Sequence, residues 1–277
     1  MKFQRVIEQV LYRPWLITPG GYAAVRKLVE NRLLRSGGDK YSNGDDYEMP
    51  HGMMSKREPM EIDGQGIAHI CIDGTLAKGI SALEACCGAW DYEWICEDIE
   101  AAMEANVRGI FLEINSPGGA CCGNSEVVDL IQSLSVPIVA YSEDTACSAA
   151  YNIAVACDRV YGSVGSTWGS IGTIIPWLDQ SAAYEAEGLS WQPITSGPLK
   201  GAGMGPSLTP AQRASLQQLV DDSFEQFRAN VLRNRLVADE YMTGAAYLAP
   251  RAKAANLIDE ITTETLAYQK LLAMLPA

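Results

Sequence analysis

The sequence predicts an α/β protein organised around a parallel sheet, and three observations predict it. Short apolar runs of strand character recur along the chain: "IAHICIDGTL" (67–76), "VRGIFLEINS" (107–116) and "VPIVAYS" (136–142). Helical patterns separate them, at roughly 80–106, at 122–134 and again after Ser148, and strands that alternate with helices form parallel βαβ units. Turns of small residues follow the second and third runs, at the carboxyl ends of the strands, where such sheets bind their ligands.

Taken in order, residues 1–35 carry a short helical pattern with Ala23, Val25, Leu28, Val29, Leu33 and Leu34 as apolar positions. They read as an N-terminal helical arm. Residues 36–66 are polar, rich in glycine and charge, and without period, which predicts a flexible, protease-sensitive linker. Residues 67–262 hold the alternating strands and helices and form the main domain. Within it, Thr209-Pro210-Ala211-Gln212 is a capping box with proline at the first helical position. It opens a long helix through about Leu236, whose Leu216, Leu219, Val220, Phe224, Phe227 and Val231 form an apolar face suited to a second subunit. A last helical pattern, "TGAAYLAPRAKAANLIDEI" (243–261), closes the domain, and 263–277 reads as a C-terminal tail.

Composition narrows the function. With 277 residues, 48% of them hydrophobic and 20% charged, the chain has the makeup of an ordinary soluble globular protein. A net charge of −13 argues against a nucleic-acid-binding surface, which needs a basic stripe. The apolar runs fall short of the ~20 residues that span a bilayer. The opening "MKFQRVIEQVLYRPWLITPGG" is broken by charges and lacks a signal-peptide core, so a cytoplasmic protein without a membrane partner is expected. The eight cysteines include no CxxC pair, which leaves them as reduced apolar fillers rather than zinc ligands or disulfides.

Two turns carry candidate chemistry. "NSPGG" (115–119) puts two residues without a Cβ where backbone must approach something closely, and their N–H groups suit half of an oxyanion hole. A plain strand-to-helix turn reads the same way. "DTACSAAYNIAVACD" (144–158) places Ser148 before a short apolar helix, with Ala146, Ala149 and Ala150 as small flanks that would admit a substrate carbonyl. A helix N-terminus favours developing negative charge, as a serine nucleophile needs, but it is also where a capping serine belongs. The base then decides the mechanism. His51 lies in the polar linker and His69 inside a strand-like run, and neither has a motif that recommends it. A lysine can serve if burial favours its neutral form. Lys200 stands alone in "ITSGPLKGAGMGPSLT", the only charge between 188 and 212, where a solvated loop lysine is the competing reading.

The segments "EINSPGG", "ACSAAYNIAVACDRVYGS", "GSIGTI" and "SGPLKG…LTPAQ" occur in order over roughly 66–262. In this the chain resembles the signal peptide peptidase A family and its phage prohead protease relatives. The resemblance implies a ClpP/crotonase-like spiral of ββα units, no metal or organic cofactor, and a Ser–Lys peptidase. It places the nucleophile on Ser148, the general base on Lys200 and a lysine-positioning serine on Ser170. It places the oxyanion hole on Gly118 or Gly119 with the Ala149 N–H as second donor. Ala149-Ala150 stands where the bacterial enzymes carry a glycine pair, and Pro198 stands where they carry a second lysine. The Pro198 departure removes a competitor of Lys200, while the Ala149-Ala150 departure, with "PWLITPGGYAAVRKLV", resembles the phage branch, which implies cleavage of scaffold, capsid or portal proteins inside a procapsid by a homo-oligomer. A cytoplasmic peptidase of the same chemistry, an acyl-CoA enzyme on the same fold and a catalytically silent capsid scaffold are the rival readings.

Overall fold

The computed structural model describes residues 14–35, 57, 59–177, 179–190, 192–202 and 207–276. The chain enters through β1 (Trp15–Ile17) and α1 (Pro19–Arg35), then passes β2 (Glu61–Ile62) into the domain. There it repeats one unit: a long strand, a short strand, then helix. The first unit is β3 (Ile67–Asp73) and β4 (Thr75–Ala77), followed by α2 (Ala82–Cys86), β5 (Ala89–Asp91) and α3 (Tyr92–Glu104). The second is β6 (Gly109–Asn115), β7 (Gly118–Ala120) and α4 (Asn124–Ser133). The third is β8 (Ile138–Ser142), β9 (Thr145–Cys147) and α5 (Ala149–Ala154). A fourth pair of strands, β10 (Arg159–Gly162) and β11 (Thr167–Gly169), leads to α6 (Ser181–Ala186) and the long α7 (Pro210–Asn234). This is the spiral of ββα units expected from the sequence.

The long strands form one sheet and the short strands form others, which is what gives the spiral its corner. In the main sheet, ordered β13-β10-β8-β6-β3-β2, all neighbours are parallel except the edge strand β2; β13 is Glu260–Ile261. The short strands make β1-β7-β4-β5 and β12-β11-β9, with β12 at Ala246–Leu248. Alternation along β3 divides the core between the two faces of the main sheet. Ala68, Ile70 and Ile72 face the main core, with the helix after Ser148, while Ile67 joins Phe111, Val139, Tyr141 and Tyr161 on the other face.

Several expectations are corrected. The arm is not helix alone, because Trp15–Ile17 form a strand that pairs with β7. The latter part of the expected linker is docked: Arg57 donates to Glu97 and Asp98 at 3.1 and 2.7 Å and covers Trp94, and β2 pairs with β3. The rest of that linker, with His51, lies outside the described residues. The stretch 243–261 is not one helical segment but β12, α8 (Ala249–Ala254) and β13. The expected C-terminal tail carries a helix. Thr263 caps α9 (Glu264–Met274), which buries Ala267 and Leu271 against the second face of the sheet. The capping box of α7 forms as read, with Gln212 N–H on Thr209 Oγ1 at 3.2 Å and Thr209 N–H on Gln212 Oε1 at 3.1 Å. Phe227, Asn230 and Val231 of that helix are buried; of its expected apolar face Leu216, Val220 and Phe224 are half-buried and only Leu219 is exposed. No helix among the described residues is long and apolar enough to cross a membrane.

Candidate active site

Ser148 stands at the corner where the third unit turns from β9 into α5. Its backbone takes φ 55°, ψ −118°, a region that an L-residue holds only when its surroundings impose it, at a cost of about 1–3 kcal/mol. The surroundings are visible. Ser148 N–H donates to Gly169 O at 2.7 Å, Cys147 N–H to Ser116 O at 3.1 Å, and Asn152 N–H returns to Ser148 O at 2.9 Å. The side chain makes no capping bond, which removes the N-cap reading of this serine. Its Oγ is buried and has no hydrogen-bond partner among the described residues. A buried hydroxyl left this way costs about 1–3 kcal/mol, so strain and an orphaned hydroxyl coincide at one residue.

The other expected residues, apart from Lys200, converge on it. Gly118 has φ +103°, and a Cβ there would press into the Leu16 carbonyl oxygen and lie 2.9 Å from Ser148 Cβ. A Cβ on Gly119 would run into the Leu76 backbone. Both glycines are therefore required by close approach and not only by the turn. The Gly118 N–H already donates to Ser116 Oγ at 3.2 Å, whereas Gly119 faces Leu16 across a strand pair. Ala149 opens α5, and the first N–H groups of a helix have no intrahelical acceptor. Ser170, with φ +51°, directly follows the Gly169 carbonyl that holds Ser148, and its own N–H donates to Ala245 O at 2.8 Å.

Sequence reading missed an amide chain behind this corner, buried from Asn230 inward. Arg233 Nη1 donates to Gln132 Oε1 at 2.7 Å, and Gln132 Nε2 to Asn230 Oδ1 at 2.8 Å. Asn230 Nδ2 donates to Asn152 Oδ1 at 2.7 Å, Asn152 Nδ2 to Asn124 Oδ1 at 2.6 Å, and Asn124 Nδ2 to Ala149 O at 3.0 Å. A guanidinium can only donate and a carbonyl can only accept, so both ends fix the orientation of every amide between them. The chain ties α7 and α4 to the first residue after Ser148. Its signal in the sequence is Asn152, a lone amide in the apolar run "AAYNIAVA".

Lys200 is not brought to the site. It is exposed, in a turn where its N–H donates to Gly197 O at 3.2 Å, and the burial expected around it is missing in this conformation. Its loop is pinched at the base, where Ser207 Oγ donates to Asp179 Oδ2 at 2.6 Å and Ser207 N–H to Ser181 Oγ at 3.0 Å. Hydrogen bonds from Ser181 and Ser207 bring the Asp179 carboxyl down to about 2. His69 belongs to the opposite face of the main sheet. It lies 3.2 Å from Asp63 and 3.6 Å from Glu113 and stacks on Tyr268 of α9. Its pKa is raised, first by Glu113, against the opposing effect of burial, and then by Asp63. Cys147 and Cys157 are buried fillers, and burial pushes the Cys147 thiol up to about 12. No cluster of three or more His, Cys, Asp or Glu is placed to hold a metal ion among the described residues.

The chain is similar to several known proteins. The head-tail preconnector protein GP5 of Enterobacteria phage P21 is 31% identical over 203 residues, covering 71% of this chain and 40% of that protein. The capsid assembly protease C of Escherichia phage lambda is 31% identical over 209 residues, covering 72% and 47%. The chloroplastic serine protease SPPA of Arabidopsis thaliana is 24% identical over 237 residues, covering 81% and 34%. The chain thus spans less than half the length of each of these relatives. The Clp protease family model matches residues 92–162, which hold the second and third ββα units. The model of peptidase family S49 matches residues 131–275, just over half of the chain and a span that includes Ser148, Ser170 and Lys200; the chain belongs to peptidase family S49.

Proposed function

We propose that the chain is a serine endopeptidase with a Ser148–Lys200 dyad, acting as a head maturation (prohead) protease on scaffold and capsid-associated proteins. The observation that carries the chemistry is Ser148 itself, a serine in a strained corner with a buried, unpartnered hydroxyl beside a close-approach glycine turn. In this reading Lys200 takes the Ser148 proton as Oγ attacks a peptide carbonyl, and gives it to the leaving amine. The resulting ester is hydrolysed by water with the same lysine as base. The Ala149 N–H and the "SPGG" turn, through Gly118 or Gly119, receive the oxyanion.

For Lys200 to act, its loop must close over Ser148, within one chain or onto a second copy. The loop exposes Leu189, Ile194 and Leu199 around the lysine, apolar side chains that such a closure would cover. That supports a homo-oligomeric working form. The likeness to the lambda capsid assembly protease supports the role in head assembly. Co-expression with the scaffold and capsid proteins of a tailed-phage head, followed by mass spectrometry, tests it. Scaffold cleavage that disappears in Ser148→Ala supports the reading, and intact scaffold with the wild-type chain contradicts it.

A further inference from the structure

We infer that the chain's own strand Trp15–Ile17 occupies the cleft in which a peptide substrate lies beside Ser148, in the register of a substrate; this rests on the peptidase reading above. The strand runs antiparallel to β7, pairing Trp15 with Ala120, Leu16 with Gly119 and Ile17 with Gly118. Without β1, the sheet ordered β1-β7-β4-β5 would end on β7, the strand that carries both glycines of the site. A strand edge of this kind takes up extended peptides through main-chain hydrogen bonds.

A second backbone closes the slot from the other side. Trp15 N–H donates to Ile174 O at 2.8 Å, and Ile174 N–H to Trp15 O at 2.9 Å. Thr18 N–H donates to Pro117 O at 3.0 Å, and Cys121 N–H to Pro14 O at 3.3 Å, so the pairing runs past both ends of β1. These are main-chain bonds, which a different extended peptide can make equally well. The Leu16 carbonyl oxygen crowds the space beside the Gly118 α-carbon, toward which Ser148 Cβ also points. The peptide bond presented to the nucleophile is therefore Leu16–Ile17.

Ser148 is 0% exposed, and Trp15, Leu16 and Ile17 are only 3%, 4% and 4% exposed. The serine and the strand are buried together, with the Leu16 carbonyl oxygen and Ser148 Cβ both close beside Gly118. The segment then leaves the slot directly into α1, where Gly21 N–H donates to Thr18 Oγ1 at 3.1 Å. Together with the exposed Lys200, this describes a resting form. The hydroxyl is held closed to other peptides until β1 withdraws, and a substrate enters by taking over the bonds that β1 makes to β7 and Ile174.

The test measures labelling of Ser148 by a small fluorophosphonate in the full chain and in Leu16→Pro, which removes a strand N–H. A second measurement is hydrogen exchange at residues 15–18 in full-length Ser148→Ala, which is free of any self-cleavage. The inference predicts labelling roughly tenfold or more faster in Leu16→Pro, and amides at 15–18 protected by at least about tenfold over an unstructured peptide. Equal labelling rates with unprotected amides would overturn it while leaving the nucleophile intact. Protected amides with no labelling of either chain would keep the occupied cleft and remove the peptidase reading. If Leu16→Pro fails to fold, exchange at 15–18 decides alone.

Discussion

Replacing Asn152 by aspartate exchanges one NH2 for an oxygen at nearly constant shape, and the amide chain behind Ser148 cannot accommodate it. Asn152 is 7% exposed, donates to Asn124 Oδ1 at 2.6 Å and accepts from Asn230 Nδ2 at 2.7 Å. Asn124 cannot turn its amide over, because its Nδ2 is committed to the Ala149 carbonyl. The new carboxylate would therefore set one oxygen against another. Losing the hydrogen bond costs about 1 kcal/mol net, and a buried acceptor and charge left with a single amide donor cost about 2–3 kcal/mol more. The sum, about 3–4 kcal/mol near neutral pH, lowers Tm by roughly 6–16 °C in a protein of this size. The pH dependence has a definite sign. Burial raises the folded pKa of the new carboxyl above its unfolded value of ~3.9. The folded state then binds the proton more tightly, so the deficit is full above the folded pKa and shrinks as pH falls toward ~3.9. Protonation also returns a donor to Asn124. Urea unfolding of wild type and Asn152→Asp at about pH 7.5 and about pH 5 measures both effects. A deficit below about 1 kcal/mol at the higher pH, or one that grows on acidification, would refute the one-way amide chain.

Three further outcomes are expected. Tyr268→Phe removes an O–H donor from Asp63, whose carboxyl, despite partial burial that raises it, is brought to about 2 by bonds from Tyr268, the Ile67 N–H, His69 and the Gln65 N–H. A lowered carboxyl pKa stabilises above ~3.9 and stops doing so as pH falls through about 2, so the variant should lose about 1 kcal/mol at neutral pH, discounted for solvent access, and nothing near pH 2. A constant Tm difference across that range would contradict this. His69→Gln should leave hydrolysis unchanged while losing stability mainly below pH ~6.5, because a raised histidine pKa stabilises below its unfolded value and ceases to as pH rises through the folded one; a dead enzyme would place the base on the wrong face of the sheet. Gly119→Ala should yield no soluble folded protein, since its Cβ meets main chain that cannot move aside; a stable variant with wild-type Tm would show the contact to be soft.

The sequence made the repeating strands and helices legible because their period and their small-residue turns are local signals. It also singled out Ser148 and the glycine turn, and the family resemblance added Ser170; Ser148, Ser170 and Gly118 all stand at positive φ. What it did not disclose depends on distant chain. Trp15–Ile17 becomes a strand only because β7 and Ile174 offer a slot between them. In isolation "PWLITPGG" reads as the lead-in to a helix. The amide chain joins residues up to 101 positions apart, and no window of sequence shows that Asn152 and Asn230 meet. Lys200 shows the reverse case. Its uncharged neighbours suggest a buried environment, but Gly, Pro and small apolar residues also suit the exposed, pinched loop in which it stands.

The central claim is that Ser148 is a nucleophile whose base is Lys200. Its most direct measurement is exhaustive treatment of the full chain with a serine-reactive fluorophosphonate, followed by peptide mapping of the adduct. The wild-type chain should carry one adduct, on Ser148. Lys200→Ala and Lys200→Arg should label slower by roughly a thousandfold or more at unchanged Tm, since an arginine stays protonated and neither variant alters a buried contact. An adduct on another serine, or labelling of Ser148 at the wild-type rate in both Lys200 variants, would contradict the account.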